Sequence, residues 1–404
     1  MNILTYTSLF PSRLNPVHGI FVSQLSQALA RLARIQLIVP ENGLLQLIER
    51  ARKSFAQGQE VIQTAEHAAA GIPDHPFDVI RCRFWTTPKI LKFIDYRLMT
   101  FFSERAFAHG LTVKPDLVHA HYAYPDAAAA YLLARKAGLP LVVTCHGSDV
   151  NVLTRYPARR RIIGRTLSQA SAVIAVSGAL ADGVATLGVD PERIHHIPNG
   201  VDLSRFPQGD KKEARRKLGL PLQGALIAAV GRLEPVKGYD RLLRAVALLD
   251  DTRLILVGDG SLAHALKRQA GELGIAERVI FAGMVEHSAL APYFQAADAL
   301  AMASHSEGWP TVIYEALACG TPVVAPAVGG IPEALPGTSL GLVLPASEPH
   351  MLAYGIREVL GRNFDRSELR RTASLHDWDA VARRYMDLFE LVLRQPGPKR
   401  REAA

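Results

Sequence analysis

Short, uninterrupted apolar runs recur along this chain, and each is followed by apolar residues at helical spacing. In the first half the runs are Ile3–Thr7, Ile35–Val39, Leu117–His121, Leu141–Cys145, Ala172–Val176 and Ile194–Ile197. In the second half they are Ala225–Val230, Arg253–Val257, Val279–Phe281, Ala299–Met302, Pro322–Ala325 and Gly341–Leu344. A strand that is apolar on both faces must be covered on both faces, which helices flanking a parallel sheet achieve. The helices show as stripes: Phe21, Leu25, Ala28, Leu29 and Leu32, and again Leu242, Leu243, Val246 and Leu249. Two such series predict two doubly wound α/β domains. The turn-rich stretch Ile197–Asp210, just ahead of the charged run Lys211–Lys217, separates them. The expected domains are 1–203 and 204–378, with a frayed tail at 395–404. No short fixed period repeats, which excludes a solenoid.

Composition narrows the class. The 404 residues are 49% hydrophobic and 21% charged, values of a globular chain that exclude large-scale disorder. Three cysteines, Cys82, Cys145 and Cys319, are too few and too far apart for a disulfide scaffold or a zinc ribbon, and they suit a reducing compartment. The start Met1–Ser8 lacks a basic segment leading into an apolar one, so no secretory leader is expected. The weakly polar stretch from Ala170 to Val189 is broken by Ser177, Gly178, Asp182 and Gly183 and reads as strand–turn–helix rather than a membrane span. Residues 1–205 carry 22 Lys and Arg against 15 Asp and Glu, with a cluster at Arg155, Arg159, Arg160, Arg161 and Arg165. Both an anionic partner and a solvated helix face account for that cluster.

In doubly wound sheets ligands bind at the carboxyl ends of strands, where helix N-termini point free N–H groups outward. After Ala225–Val230 comes a turn with Arg232 and Lys237, a planar fork of donors and a mobile point charge suited to a diphosphate. After Ala299–Met302 comes Ser304-His305-Ser306-Glu307-Gly308-Trp309-Pro310-Thr311-Val312, leading into a helix that contains Glu315 and ends at Gly320 and Pro322. Pro310 is expected at the first helical position, with Glu315 about one and a half turns inside. Gly308 permits close backbone approach, and the N–H groups of Trp309, Thr311 and Val312 form an anion-binding helix start. The two glutamates then suit hydroxyls on either side of a phosphate, such as a sugar and a ribose. In the first half, His146 follows Leu141–Cys145 beside Gly147, and the long loop Phe10–Gly19 joins the first strand to its helix. Leu256–Gly260 and Phe281–Glu286, including Val285, wall a nucleobase pocket in this reading.

The chain resembles the retaining glycosyltransferases of family 4, the group 1 enzymes. The resemblance rests on SEGWPTVIYEALACGTPVVA with Glu307 and Glu315 in an E-x7-E pattern, on GRLEPVKGYD, HGSD, IPNGVD and LVGDG, all in family order. It implies the GT-B fold: two Rossmann-like domains facing one another across a cleft, with the last helix, 379–394, crossing back to the front domain at Trp378. It further implies a nucleotide-sugar donor held by the rear domain and an acceptor held by the front domain. By position, Arg232 and Lys237 would hold the diphosphate and Glu307 the sugar hydroxyls, helped by the Gly308 and Trp309 backbone. Glu315 would hold the ribose, His146 would support the reacting centre, and Gly19 would contact the phosphate. Gly329-Gly330 before Glu333 matches a family glycine pair. Trp309 stands where a smaller aromatic is common, and Gly19 is single where many members have a pair.

The implied activity is transfer of a hexose from a UDP- or GDP-sugar to an acceptor hydroxyl with retention and without metal or other cofactor, in cell-surface polysaccharide or glycolipid synthesis. A cytoplasmic enzyme is expected, and contact with the inner face of the membrane stays open. The acceptor class, glycan or lipid-linked, stays open, as does the oligomeric state. Lys89–Phe102 is basic and aromatic at helical spacing and fits either an anionic membrane or the front domain's core. No nucleic-acid recognition motif is present. A nucleotide-sugar 2-epimerase and an inactive ligand-binding subunit are the competing readings on this fold.

Overall fold

The computed structural model describes residues 1–12, 15, 18–43, 75–87 and 89–395. The tail beyond 395, most of the loop tip between Phe10 and Gly19, and the Lys89 and Ile90 side chains lie outside what is described. The chain forms two compact units: Met1–Ile197 together with the segment from Val381 onward, and Pro198–Ala380.

The first unit is built on a seven-stranded parallel sheet of β1 (Asn2–Tyr6), β2 (Arg34–Asn42), β3 (Asp78–Phe84), β4 (Leu117–His121), β5 (Leu141–Cys145), β6 (Ala172–Ala175) and β7 (Ile194–His196). Its order is β3-β2-β1-β4-β5-β6-β7. The second unit carries a six-stranded parallel sheet of β8 (Ala225–Val230), β9 (Thr252–Val257), β10 (Val279–Gly283), β11 (Ala299–Ala301), β12 (Val323–Pro326) and β13 (Gly341–Leu344). The order there is β10-β9-β8-β11-β12-β13. Each order reverses direction once, between β1 and β4 and between β8 and β11. Such a switch point opens a crevice above the strand ends because the loops on either side run to opposite faces.

The apolar runs named from sequence are the buried strands of both sheets, shifted at some ends. One strand was missed. β3 reads Asp78-Val-Ile-Arg-Cys-Arg-Phe84, is partly exposed through most of its length, and pairs among the described residues with β2 alone. An edge strand has only one neighbour and does not need an unbroken apolar run.

The helix stripes are mostly as expected. Leu242, Leu243, Val246 and Leu249 are buried beneath Tyr239–Ala247. Burying each such side chain contributes about 1.5–3 kcal/mol. In Ile20–Ala30, however, the buried side is Val22, Leu25, Ala28 and Leu29. Leu32 lies past the helix end and is exposed, while half-buried Phe21 turns to other work described below. The last helix, Trp378–Arg394, starts in the second unit, where the Trp378 ring packs so closely on Gly200 that a Cβ there would lie 2.7 Å from it. From Val381 onward it buries Val381, Ala382, Tyr385, Leu388, Phe389 and Val392 in the first unit, a stripe at 3–4 residue intervals. Tyr385 and Phe389 pack on His119 of β4.

The first crossover of each unit is built alike. Gly19 caps the helix after β1 with φ 64° and ψ 28°, and Gly238 caps the helix after β8 with φ 64° and ψ 27°. A Cβ at either would strike a carbonyl, 2.3 Å from Leu9 O or 2.1 Å from Ala303 O, so both the backbone angle and the close approach require glycine.

Candidate functional site

In the second unit the groups nominated from sequence gather at the switch point. β8 delivers Arg232 and Lys237 through a single 3₁₀ turn, Pro235–Lys237, and β11 delivers Ser304 and Glu307. The two loops are stitched by the His305 N–H donating to Val236 O at 2.8 Å. Lys237 Nζ lies 2.6 Å from Glu307 Oε1, and the same oxygen accepts from Ser304 Oγ at 2.7 Å. Glu307 Oε2 has no partner among the described residues. The Glu307 charge also adds to burial in raising the Tyr239 hydroxyl. Arg232 is exposed, and its charge is the lesser influence on Glu234, whose carboxyl is lowered chiefly by the Ser261 hydroxyl and N–H.

The helix carrying the second glutamate starts one residue later than expected. Pro310 has ψ 83° and is the N-cap rather than the first helical residue, and the helix is Thr311–Ala318. The Thr311 N–H folds back to Trp309 O at 3.1 Å, a tight turn that removes it from the set of free donors. Glu315 is thus about one turn inside. The Trp309 ring is buried and stacks on Tyr314, 5.6 Å between centroids, so only its backbone is left to face a ligand.

Glu315 is buried and holds a partner that sequence reasoning missed: His287 Nε2 lies 2.9 Å from Oε1. His287 sits two residues beyond Val285, which is half-buried after β10, and its ring packs edge-on against Phe206 at 5.3 Å. Burial and the Glu315 charge push the nearby Cys319 thiol up to about 12. Both glutamates therefore follow one plan, with one oxygen anchored by the protein and the other unspent.

In the first unit, His146 follows β5 and Asp149 fixes the turn behind it. That buried carboxylate accepts from the N–H groups of His146 (3.1 Å), Gly147 (2.8 Å) and Ala123 (2.9 Å). Phe21, from the helix capped by Gly19, packs 4.6 Å from the His146 ring. Gly19 itself is buried against Leu9. His146 is paired with another histidine that the sequence reading did not single out, His121 at the end of β4. Among the described residues no group of three or more His, Cys, Asp or Glu side chains is disposed to hold a metal ion.

Residues 19–205 match Glycosyltransferase Family 4, and residues 210–375 match Glycosyl transferases group 1. A protein of Bacillus subtilis named as a teichuronic acid biosynthesis glycosyltransferase, TuaC, is 32% identical over 88% of this chain and 88% of its own length. The chain belongs to the family 4, group 1 glycosyltransferases. A D-inositol 3-phosphate glycosyltransferase of Mycobacteroides abscessus is 36% identical over 66% of this chain and 64% of its own length. Among solved structures, sucrose-phosphate synthase from Thermosynechococcus elongatus superposes with a TM-score of 0.77 at 22% identity, covering 97% of this chain and 98% of that one. HepE of Anabaena, solved with UDP and glucose, gives 0.73 at 22% identity over 97% and 100%. The fold is GT-B, and the chain is a glycosyltransferase.

Proposed function

We propose that this glycosyltransferase moves a hexose from a UDP- or GDP-sugar to an acceptor hydroxyl with retention of anomeric configuration and without a metal ion. The second unit holds the donor and the first the acceptor. The observation that carries this reading is the Lys237–Glu307–Ser304 cluster beside Arg232 at the β8/β11 switch point. As the sugar–phosphate bond breaks, negative charge grows on the leaving diphosphate and positive character on the sugar. Lys237, taken over from Glu307 by the donor, and Arg232 stabilise that charge. Glu307 Oε2 takes sugar hydroxyls, Glu315 Oε2 takes ribose hydroxyls, and the backbone of Gly308, Trp309 and Val312 together with Val285 completes the donor site. Gly19 meets the phosphate, and His146 attends the sugar. Retention follows if the acceptor oxygen bonds to the anomeric carbon on the face the diphosphate leaves, its proton passing to a phosphate oxygen.

An acceptor bearing an acidic group is favoured by Arg159. This half-buried guanidinium has no ion-pair partner among the described residues, and it stands 4.8 Å over the Tyr156 ring and 5.9 Å over Tyr124. Its charge reaches the Tyr122 hydroxyl, which is bonded to Ser148 Oγ at 2.8 Å, two residues past His146. The names of the relatives, teichuronic acid and D-inositol 3-phosphate, also speak of acids. Exposed Leu91, Phe93, Phe101 and Phe102, with exposed Arg97, Arg160, Arg161 and Arg165, support peripheral contact with an anionic inner membrane face and work on surface polysaccharide or glycolipid. No helix among the described residues is long and apolar enough to cross a membrane.

Thermal stabilisation by a panel of UDP-, GDP- and ADP-sugars, followed by label transfer and NMR of the product anomer in EDTA, tests the reading, since a ligand that prefers the folded form raises Tm. Stabilisation by a donor that Lys237→Ala leaves intact, or an inverted product, overturns it. Arg159→Ala should lower transfer to acidic acceptors with donor hydrolysis unchanged, and vesicle co-sedimentation of the Arg160→Ala/Arg161→Ala variant checks the membrane contact.

A further inference from the structure

His146 receives its orientation from a second imidazole. β4 and β5 pair with His121 opposite Thr144, which brings the His121 side chain beside the turn that follows β5. His121 Nδ1 lies 3.0 Å from His146 Nε2, and the ring planes differ by only 20°, so the bond runs close to both planes. Behind them His119 packs on His121 at 4.3 Å and bonds Thr144 Oγ1 at 2.8 Å. No carboxylate hydrogen-bonds any of these three rings among the described residues. Burial alone pushes His146 down to about 3, and His121 falls well below its ordinary range for the same reason, aggravated by the other two rings. Both are therefore neutral, and one proton lies between them.

Two placements are available for that proton. If His146 donates, the remaining N–H of the pair is on His121 Nε2, a buried atom with no partner among the described residues, on a residue that is 1% exposed. An N–H left there is permanently unsatisfied, which buried donors rarely are. If His121 donates, the remaining N–H is on His146 Nδ1, an atom equally buried and without a partner among the described residues, but on a half-buried residue past the strand end rather than on one enclosed in the sheet. We propose that His121 donates its Nδ1–H to His146 Nε2 and so fixes His146 as the neutral tautomer protonated at Nδ1, a hydrogen-bond donor to a sugar oxygen rather than a base. The role given to that N–H rests on the reading that His146 attends the donor sugar. His121 is a positioning residue: it acts only through His146.

The full-length protein, labelled with ¹⁵N-histidine, reports the tautomer through its long-range ¹H–¹⁵N pattern, with His146→Gln identifying the His146 signals. The expected result is a protonated Nδ1 and bare Nε2 on His146. His121→Asn, whose amide can donate from nearly the Nδ1 position, keeps that pattern and a kcat within about threefold of wild type. His121→Val removes the donor, mixes the tautomers and lowers kcat about tenfold, with donor KM within about twofold. A proton on His146 Nε2 in the wild type overturns the proposal, as does a folded His121→Val protein with wild-type kcat. Should His121→Val not fold, the wild-type spectrum and His121→Asn decide. A protein that transfers no sugar from any donor overturns the glycosyl-transfer reading alone, because the tautomer is read without substrate.

Discussion

Lys237 and Glu307 are bonded to each other at 2.6 Å, so the cation nominated for the diphosphate and the carboxylate nominated for the sugar neutralise one another. Glu307 is held at the same oxygen by Ser304. In the proposed site a donor competes with Glu307 for Lys237, and Ser304 keeps Glu307 in place as it does. Lys237→Ala is expected to lower kcat/KM at least about tenfold, the worth of one charge-assisted hydrogen bond. Glu307→Gln should lower kcat/KM as strongly yet bind free nucleoside diphosphate no more weakly than wild type, because it releases the lysine. Titration calorimetry with UDP and GDP separates the two; equal weakening by both variants contradicts the competition.

The His287–Glu315 bond leads to a different kinetic signature. Removing the imidazole frees Glu315 to turn and leaves the carboxylate buried with one partner fewer. His287→Ala is expected to raise donor KM about fivefold to tenfold with kcat nearly unchanged, since the ribose contact proposed for Glu315 would be alike in ground and transition states. Initial-rate measurements over donor concentration check this, and a loss confined to kcat would refute it.

Gly329 supports the Glu307 loop from below. Its φ is +55°, and a Cβ there would lie 1.8 Å from Glu307 O. Gly329→Ala must push the loop away or rearrange its own backbone, at a cost on the order of 1–3 kcal/mol. The expected result is a lowered Tm together with activity lost beyond detection of the Glu307 contact, whereas Gly271→Ala, where a Cβ meets nothing within 4 Å, leaves activity unchanged.

Stability should respond to pH in two opposed ways. His119 and His146 are held down to about 3 by burial, so below their unfolded value near 6.5 the unfolded chain gains protons that the folded one refuses, and stability falls on acidification. Burial raises Asp126 to about 7 in spite of the bond it accepts from the Ser8 N–H. The folded chain therefore keeps a proton that the unfolded one has lost, and this group costs stability as pH climbs from about 4 to 7. Asp126→Asn removes only the second effect. The variant's Tm relative to wild type should be higher at pH 8 than at pH 5, and an identical difference at both values would count against the assignment.

Much of the architecture was legible because it is written in local chemistry. Apolar runs have to be buried, and Gly19, Gly238 and Gly320 stand at helix ends where the backbone takes a positive φ. The exceptions had local causes too. β3 carries Arg81 and Arg83 and lacks an apolar run because it lies at a sheet edge, and the Thr311 N–H turning back to Trp309 O delays the helix by a residue.

The residues proposed for the donor could be nominated from the chain alone because Arg232, Lys237 and Glu307 sit in motifs that follow strands, and Glu315 in the helix after one of them. Their partners could not. His121 meets His146 only because β4 and β5 are neighbours in register, and His287 meets Glu315 only because the turn after β10 lies against the helix after β11. Hydrogen bonds reach about 3 Å and leave no periodic trace along a chain. Which histidine meets which partner is therefore decided by packing between segments distant in sequence, whereas the kind of segment each one is follows from its own residues.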